Sequence, residues 1–172
     1  MDQDAEFDNV LLLLYYRGKS MMPRAAATGG NTVNIVVIDG QSGRLGAQLI
    51  EGLLQAGVPA ENTVTAIGTN AAATAAMLKA GAAFAATGEN PILVACRTAD
   101  VITGPVGLVI ADAMLGEITP AMATAIGQSQ AAKVLLPVNR CANFIIGIAD
   151  MSRSRLVEEA VTRIMQLCKQ EN

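Results

Sequence analysis

Histidine is absent from all 172 residues, and tryptophan with it. Without an imidazole there is no His-based triad, no His proton relay and no His-ligated metal, so no metal site is expected. Cysteine is scarce: Cys96, Cys141 and Cys168 stand far apart with no C-x-x-C pair. An odd, scattered set of thiols suits a reducing cytoplasm better than a disulfide framework. Charge is thin as well, at 16% of residues with a net charge of -3 and 3% aromatics. No basic cluster exists to displace counterions from a phosphate backbone, which argues against a nucleic-acid partner. The apolar stretch at residues 10–16 is about a third of the ~20 residues a membrane helix needs. The acids before it, Asp2, Asp4, Glu6 and Asp8, are the wrong sign for a secretion signal. The expectation is a cytoplasmic protein with no membrane partner.

What is present is a 52% apolar body long enough for one sizeable core. Residues 1–32 differ in composition, running from acids through a Leu run and Pro23 to an Ala/Thr/Gly/Asn stretch, and read as an N-terminal extension or linker. From residue 33 strands and helices alternate. A β-branched strand at 33–39 precedes a helix at about 43–56, whose Leu45, Leu49, Ile50, Leu53 and Leu54 share one face and whose C′ position is Gly57. A strand at 64–67 leads to a helix capped by Asn70 and ended at Gly81. Further strands are expected at 82–86, 100–103, 133–137 and 144–149. Helices are expected from Pro91, over 107–115, from Thr119-Pro120 to Gly127, and over 154–169.

This alternation predicts one α/β domain over 33–172, a three-layer sandwich with a mostly parallel sheet of about five strands. The connection to the strand at 144–149 is too short for a parallel crossover of a dozen or more residues, so that strand is expected as an antiparallel edge. The 106–115 stretch carries one charge, at Asp112, and its apolar surface predicts a homo-oligomer.

The most informative segment is Val33-Asn34-Ile35-Val36-Val37-Ile38-Asp39 running into Gly40-Gln41-Ser42-Gly43-Arg44-Leu45-Gly46. Strand, glycine turn and helix N-terminus in this order form the phosphate-binding opening of a Rossmann-like site. Gly40 permits the turn, Gly43 lets backbone approach a phosphate, and Gly46 lets the helix lie close on the strand. A plainer reading gives the glycines to turn and packing alone. Two departures stand out. Gly68-Thr69-Asn70 occupies the place of the acid that grips an adenosine ribose. Asp39 would repel a pyrophosphate unless its side chain caps the turn. Tyr15-x-x-x-Lys19 has the spacing of the short-chain dehydrogenase pair. It precedes the first strand, however, so that chemistry is set aside.

Ligands of open parallel sheets collect at the strand carboxyl ends. That rule joins Thr69, Asn70, Thr103, Gly104, Asn139 and Arg140 to the glycine loop as candidate cofactor contacts. Arg140 reads as a fork for phosphate or as a surface arginine, and Asn139 as a ligand amide or a turn residue. Thr87, Glu89, Asn90 and Cys141 are candidate substrate contacts, against plainer roles as helix caps and an inert thiol. Any acid–base work would fall to Asp39, Glu89, Asp112 or Glu117. Glu117-Ile118-Thr119-Pro120 reads first as a turn with a Thr cap.

Six motifs in order carry a resemblance: Ile38-Asp39-Gly40-Gln41-Ser42-Gly43, Gly68-Thr69-Asn70-Ala71, Met77-Leu78-Lys79-Ala80-Gly81-Ala82, Ala86-Thr87-Gly88-Glu89-Asn90, Met114-Leu115-Gly116-Glu117-Ile118-Thr119-Pro120 and Leu136-Pro137-Val138-Asn139-Arg140-Cys141. Together they resemble a bacterial family of uncharacterised conserved proteins, domain of unknown function 3842, over about residues 34–165. The resemblance implies a Rossmann-like, cytoplasmic protein and carries no activity with it. The expected ligand is a small phosphorylated molecule, NAD(P) or another nucleotide. The alternative is a non-catalytic regulatory or assembly protein using the fold as an oligomerising scaffold.

Overall fold

The run of β-branched residues that opens the domain becomes a strand buried on both faces, β1 (Asn34–Asp39), and the rest is laid out around it. The computed structural model describes residues 32–58, 60, 62–138, 145 and 151–170. After β1 come α1 (Arg44–Gln55), β2 (Thr63–Gly68), α2 (Ala71–Lys79), β3 (Phe84–Thr87), α3 (Glu89–Ala95) and β4 (Val101–Pro105). A 3-10 turn at Val106–Val109, α4 (Pro120–Gln128), β5 (Ala132–Leu136) and α5 (Arg153–Gln170) complete it. The sheet order is β3-β2-β1-β4-β5, and every pairing is parallel. The chain winds outward to β3 and then returns beside β1, so the strand order reverses between β1 and β4.

Alternation along β1 divides the core. Ile35 and Val37 face α1, α2 and α5, against Leu49, Ile50, Leu53, Met77 and Ile164. Val36 and Ile38 face the other layer, with Ile92, Ile102, Leu108, Ile118 and Ile126. This is the three-layer α/β sandwich of Rossmann-like type. Local chemistry sets the helix boundaries. Asn70 caps α2 by accepting the Ala73 N–H at 2.9 Å, and Thr119 caps α4 by accepting that of Met122 at 3.2 Å. At the far end of α1, Gly57 N–H returns to Leu54 O and Val58 N–H to Leu53 O, the paired bonds of a Schellman ending.

Two expectations change. The antiparallel edge is not seen: the strand expected at 144–149 lies outside the described residues except for Ile145, which is in no strand. Among the described residues the sheet is parallel throughout. The helix expected over 107–115 is replaced by the 3-10 turn and a chain of tight turns. Val106, Gly107, Val109 and Ile110 are weak helix formers. Beyond them the backbone turns left-handed at Asp112 (φ 62), Met114 (φ 59) and Leu115 (φ 62), which no right-handed helix admits. Asp112 N–H bonds Ile118 O and Ile118 N–H bonds Ala113 O, so the segment folds back on itself. Its apolar residues Leu108, Ala113 and Ile118 are buried in the second core. Among the described residues, no helix is long and apolar enough to cross a membrane.

Candidate functional site

Asp39 ends β1 with its side chain 4% exposed. Gly40 N–H donates to its Oδ1 and Gly46 N–H to its Oδ2, both at 2.8 Å. The carboxylate therefore sits on the N-terminal turn of α1 and satisfies donors that lack helical partners. Burial pushes its pKa up from the ordinary carboxylate value; the N–H groups of Gly46, Gly40 and Leu45 oppose the rise and the charge of Glu117 adds to it.

The glycines answer to contacts within the protein. A Cβ on Gly43 would lie 2.6 Å from Ala73 Cα, at a backbone angle of φ +67. The room it leaves is filled by the start of α2, so this glycine lets α1 and α2 meet. Gly46 is likewise crowded by Met77 Sδ at 2.5 Å and by Asp39 Cβ at 2.9 Å. Gly40 differs. A Cβ there would meet Glu117 Oε2 at 2.6 Å and Thr69 Oγ1 at 2.7 Å, both polar atoms of the crevice floor.

That oxygen of Glu117 is the focus of the site. It accepts the Gln41 N–H at 2.8 Å, the Asn70 side-chain amide at 3.0 Å and the Thr69 hydroxyl. Asn70 also donates to Gln41 O at 3.1 Å, tying the β2–α2 turn to the glycine loop. Partial burial raises the Glu117 pKa, but the bonds from Thr69, Gln41 and Asn70 outweigh it and hold the carboxyl below its usual range. Three donors from two loops thus converge on one oxygen at the carboxyl ends of β1 and β2. Such a cradle stabilises a negatively charged oxygen without a cation.

The other candidates are divided by the topology. Of the loop candidates, Gly40 and Gln41 meet Thr69 and Asn70 around Glu117; Ser42 and Arg44 are exposed, while Gly43, Leu45 and Gly46 are buried and turn away from any ligand. Thr103 is fully buried and its hydroxyl donates to Val134 O at 2.7 Å, inside the sheet. Gly104 is the point of closest approach between β4 and β1, where a Cβ would lie 2.1 Å from Ile38 O. Thr87 Oγ1 is 2.7 Å from Thr74 Oγ1 and joins the end of β3 to α2. Glu89, in the first turn of α3, accepts the Thr119 hydroxyl, and Asn90 beside it is exposed. Asp112 is exposed in the left-handed turn. Asn139, Arg140 and Cys141 lie outside the described residues.

Glu117 reads from sequence as a turn residue and a candidate acid, without a place beside the glycine loop. A signal for that place exists. The β4–α4 connection must leave from the same sheet edge as the glycine loop, and Glu117 is one of two charged residues between Gly104 and Thr119.

A family model described as "Domain of unknown function (DUF3842)" matches residues 34–169. Comparison with curated proteins and with solved structures gave no match.

Proposed function

We propose that this chain, which belongs to the DUF3842 family of unknown function, binds a nucleotide or another small phosphorylated molecule at the carboxyl edge of its sheet. The observation that carries the proposal is the convergence of Gln41 N–H, the Thr69 hydroxyl and the Asn70 amide on a single carboxylate oxygen. A phosphate oxygen asks for the same donors as a carboxylate oxygen. Exposed Ser42 and Arg44, within three residues of Gln41, add a hydroxyl and a guanidinium that can bind phosphate. Reversal of strand order beside β1 supports the location. Since β2 ends at Gly68 and Thr69-Asn70 follow it, the ribose grip of dinucleotide enzymes is not built there. The ligand would be held mainly by phosphate, and NAD(P) is one candidate among nucleotides. Both crevice carboxylates are engaged by donors, a state that favours binding over proton transfer. The buried thiol of Cys96, which lies in no disulfide, suits a cytoplasmic setting.

Thermal denaturation with NAD+, NADP+, ATP and inorganic phosphate tests the proposal. A probe at 100 times its Kd should add about 2.7 kcal/mol of stability. An unmoved melting temperature across the set, for the wild type and for Glu117→Ala alike, would remove the phosphate site. The alternative, an assembly protein that uses the fold as a scaffold, draws support from Leu115, which is 94% exposed at the tip of the β4–α4 connection.

A further inference from the structure

We infer that the 110–118 segment is a built-in plug: Glu117 occupies the seat of the ligand's anionic oxygen, and binding requires its expulsion. The inference rests on the phosphate reading of the crevice and adds how access to it is controlled. Gln41, Thr69 and Asn70 all spend their donors on Glu117 Oε2. That oxygen lies so close over Gly40 that a Cβ there would be 2.6 Å away. A ligand oxygen cannot reach those donors while Glu117 holds them.

The backbone that delivers Glu117 is under independent strain. Asp112, Met114 and Leu115 all take left-handed angles, at φ 62, 59 and 62, and none is glycine. Such positions persist where the surroundings over-determine them, and they concentrate in switch segments. Here the support is unequal along the segment. Ala113 and Ile118 anchor it in the core. Leu115 projects into solvent at 94% exposure, and Glu117 N–H reaches Met114 O at a long 3.4 Å. The tip is thus held down by the Glu117 carboxylate while its backbone favours release. Two opposed terms on one short segment make an element with an open and a closed arrangement. Ligand affinity is then reduced by the fraction of molecules that are closed.

The test uses the full chain as wild type, Glu117→Ala and Glu117→Gln. Binding of inorganic phosphate, ATP and NAD+ is measured by calorimetry, and hydrogen exchange is followed over 110–118. Glu117→Ala empties the seat, so it should bind at least one probe about tenfold tighter than wild type, with faster exchange across the segment. Glu117→Gln keeps the shape, loses the charge and should fall between. If the alanine variant fails to fold, the glutamine variant carries the comparison. Wild-type affinity equal to or tighter than that of the variants would overturn the plug and leave the phosphate site standing. Binding by none of the three chains would overturn the phosphate reading itself, and the plug with it.

Discussion

Asp39 and Glu117 lie on the same sheet edge and titrate in opposite directions because their surroundings differ. Asp39 is buried, and its pKa stands above the ordinary 3.8. Its native form holds a proton more tightly than the unfolded chain does, so its contribution to stability falls as pH rises from 3.8 through the raised value. Glu117 is held below 4.5, so its contribution is full above 4.5 and is lost as pH falls through the lowered value. Urea unfolding from neutral pH down to values below 4.5 should therefore show the gap between wild type and Glu117→Gln closing below 4.5. A gap that stays constant with pH would show that the carboxylate charge is not what the donors hold. Asp39→Asn should cost about 1–3 kcal/mol at neutral pH, since an amide cannot accept from both Gly40 and Gly46 N–H groups. Gly43→Ala is expected to be worse than a surface glycine change. It combines a left-handed angle with a contact of 2.6 Å to the Ala73 backbone, and a loss of about 2 kcal/mol or more in a denaturant melt is expected.

Helices and strands carry their own signals unequally, and α5 is among the clearest. Val157, Ala160, Val161 and Ile164 recur at helical spacing, and the structure buries that stripe against the α1 layer. Ile164→Ala should accordingly lose about 2–5 kcal/mol, read as a lower urea midpoint at unchanged slope. An effect under 0.5 kcal/mol would mean that the α5 stripe is not held in the core. The same legibility extends to β1, whose unbroken β-branched run marks a strand buried on both faces, and to α2, framed by Asn70 and Gly81. It fails over 106–118. A mostly apolar stretch reads as a helix, yet Gly107, Asp112 and Gly116 supply turn chemistry within it, and apolar side chains serve equally well to pin a folded-back loop into a core. Leu108, Ala113 and Ile118 do this while Asp112, Met114 and Leu115 turn left-handed. Asp112 is a residue type that favours such an angle, but nothing marks Met114 and Leu115, which seldom adopt one. The glycine loop was visible in sequence as a motif, but the use of its N–H groups was not. That use depends on Glu117, which arrives from 76 residues away.

Taken as a whole, the molecule presents two edges of different character. Among the described residues β5 is one edge, and it carries the exposed Lys133 near its start, a charge of the kind that discourages further pairing. The opposite edge is β3, Phe84-Ala85-Ala86-Thr87, with no charge in it and Phe84 46% exposed. Among the described residues no strand pairs with its outer side. The expected homo-oligomer was argued from the 106–115 stretch, but that stretch sends Leu108 and Ala113 inward. If the chain associates, the uncharged β3 edge with exposed Phe84 is one surface open to it, and exposed Leu115 is another. Two copies meeting there around a twofold axis would extend the sheet and cover both Phe84 side chains. Light scattering at micromolar concentration is expected to give a dimer for the wild type and a monomer for Phe84→Lys, with cooperative unfolding in both. A monomeric wild type would remove the dimer. A dimer that survives Phe84→Lys would move the interface off β3 and toward Leu115.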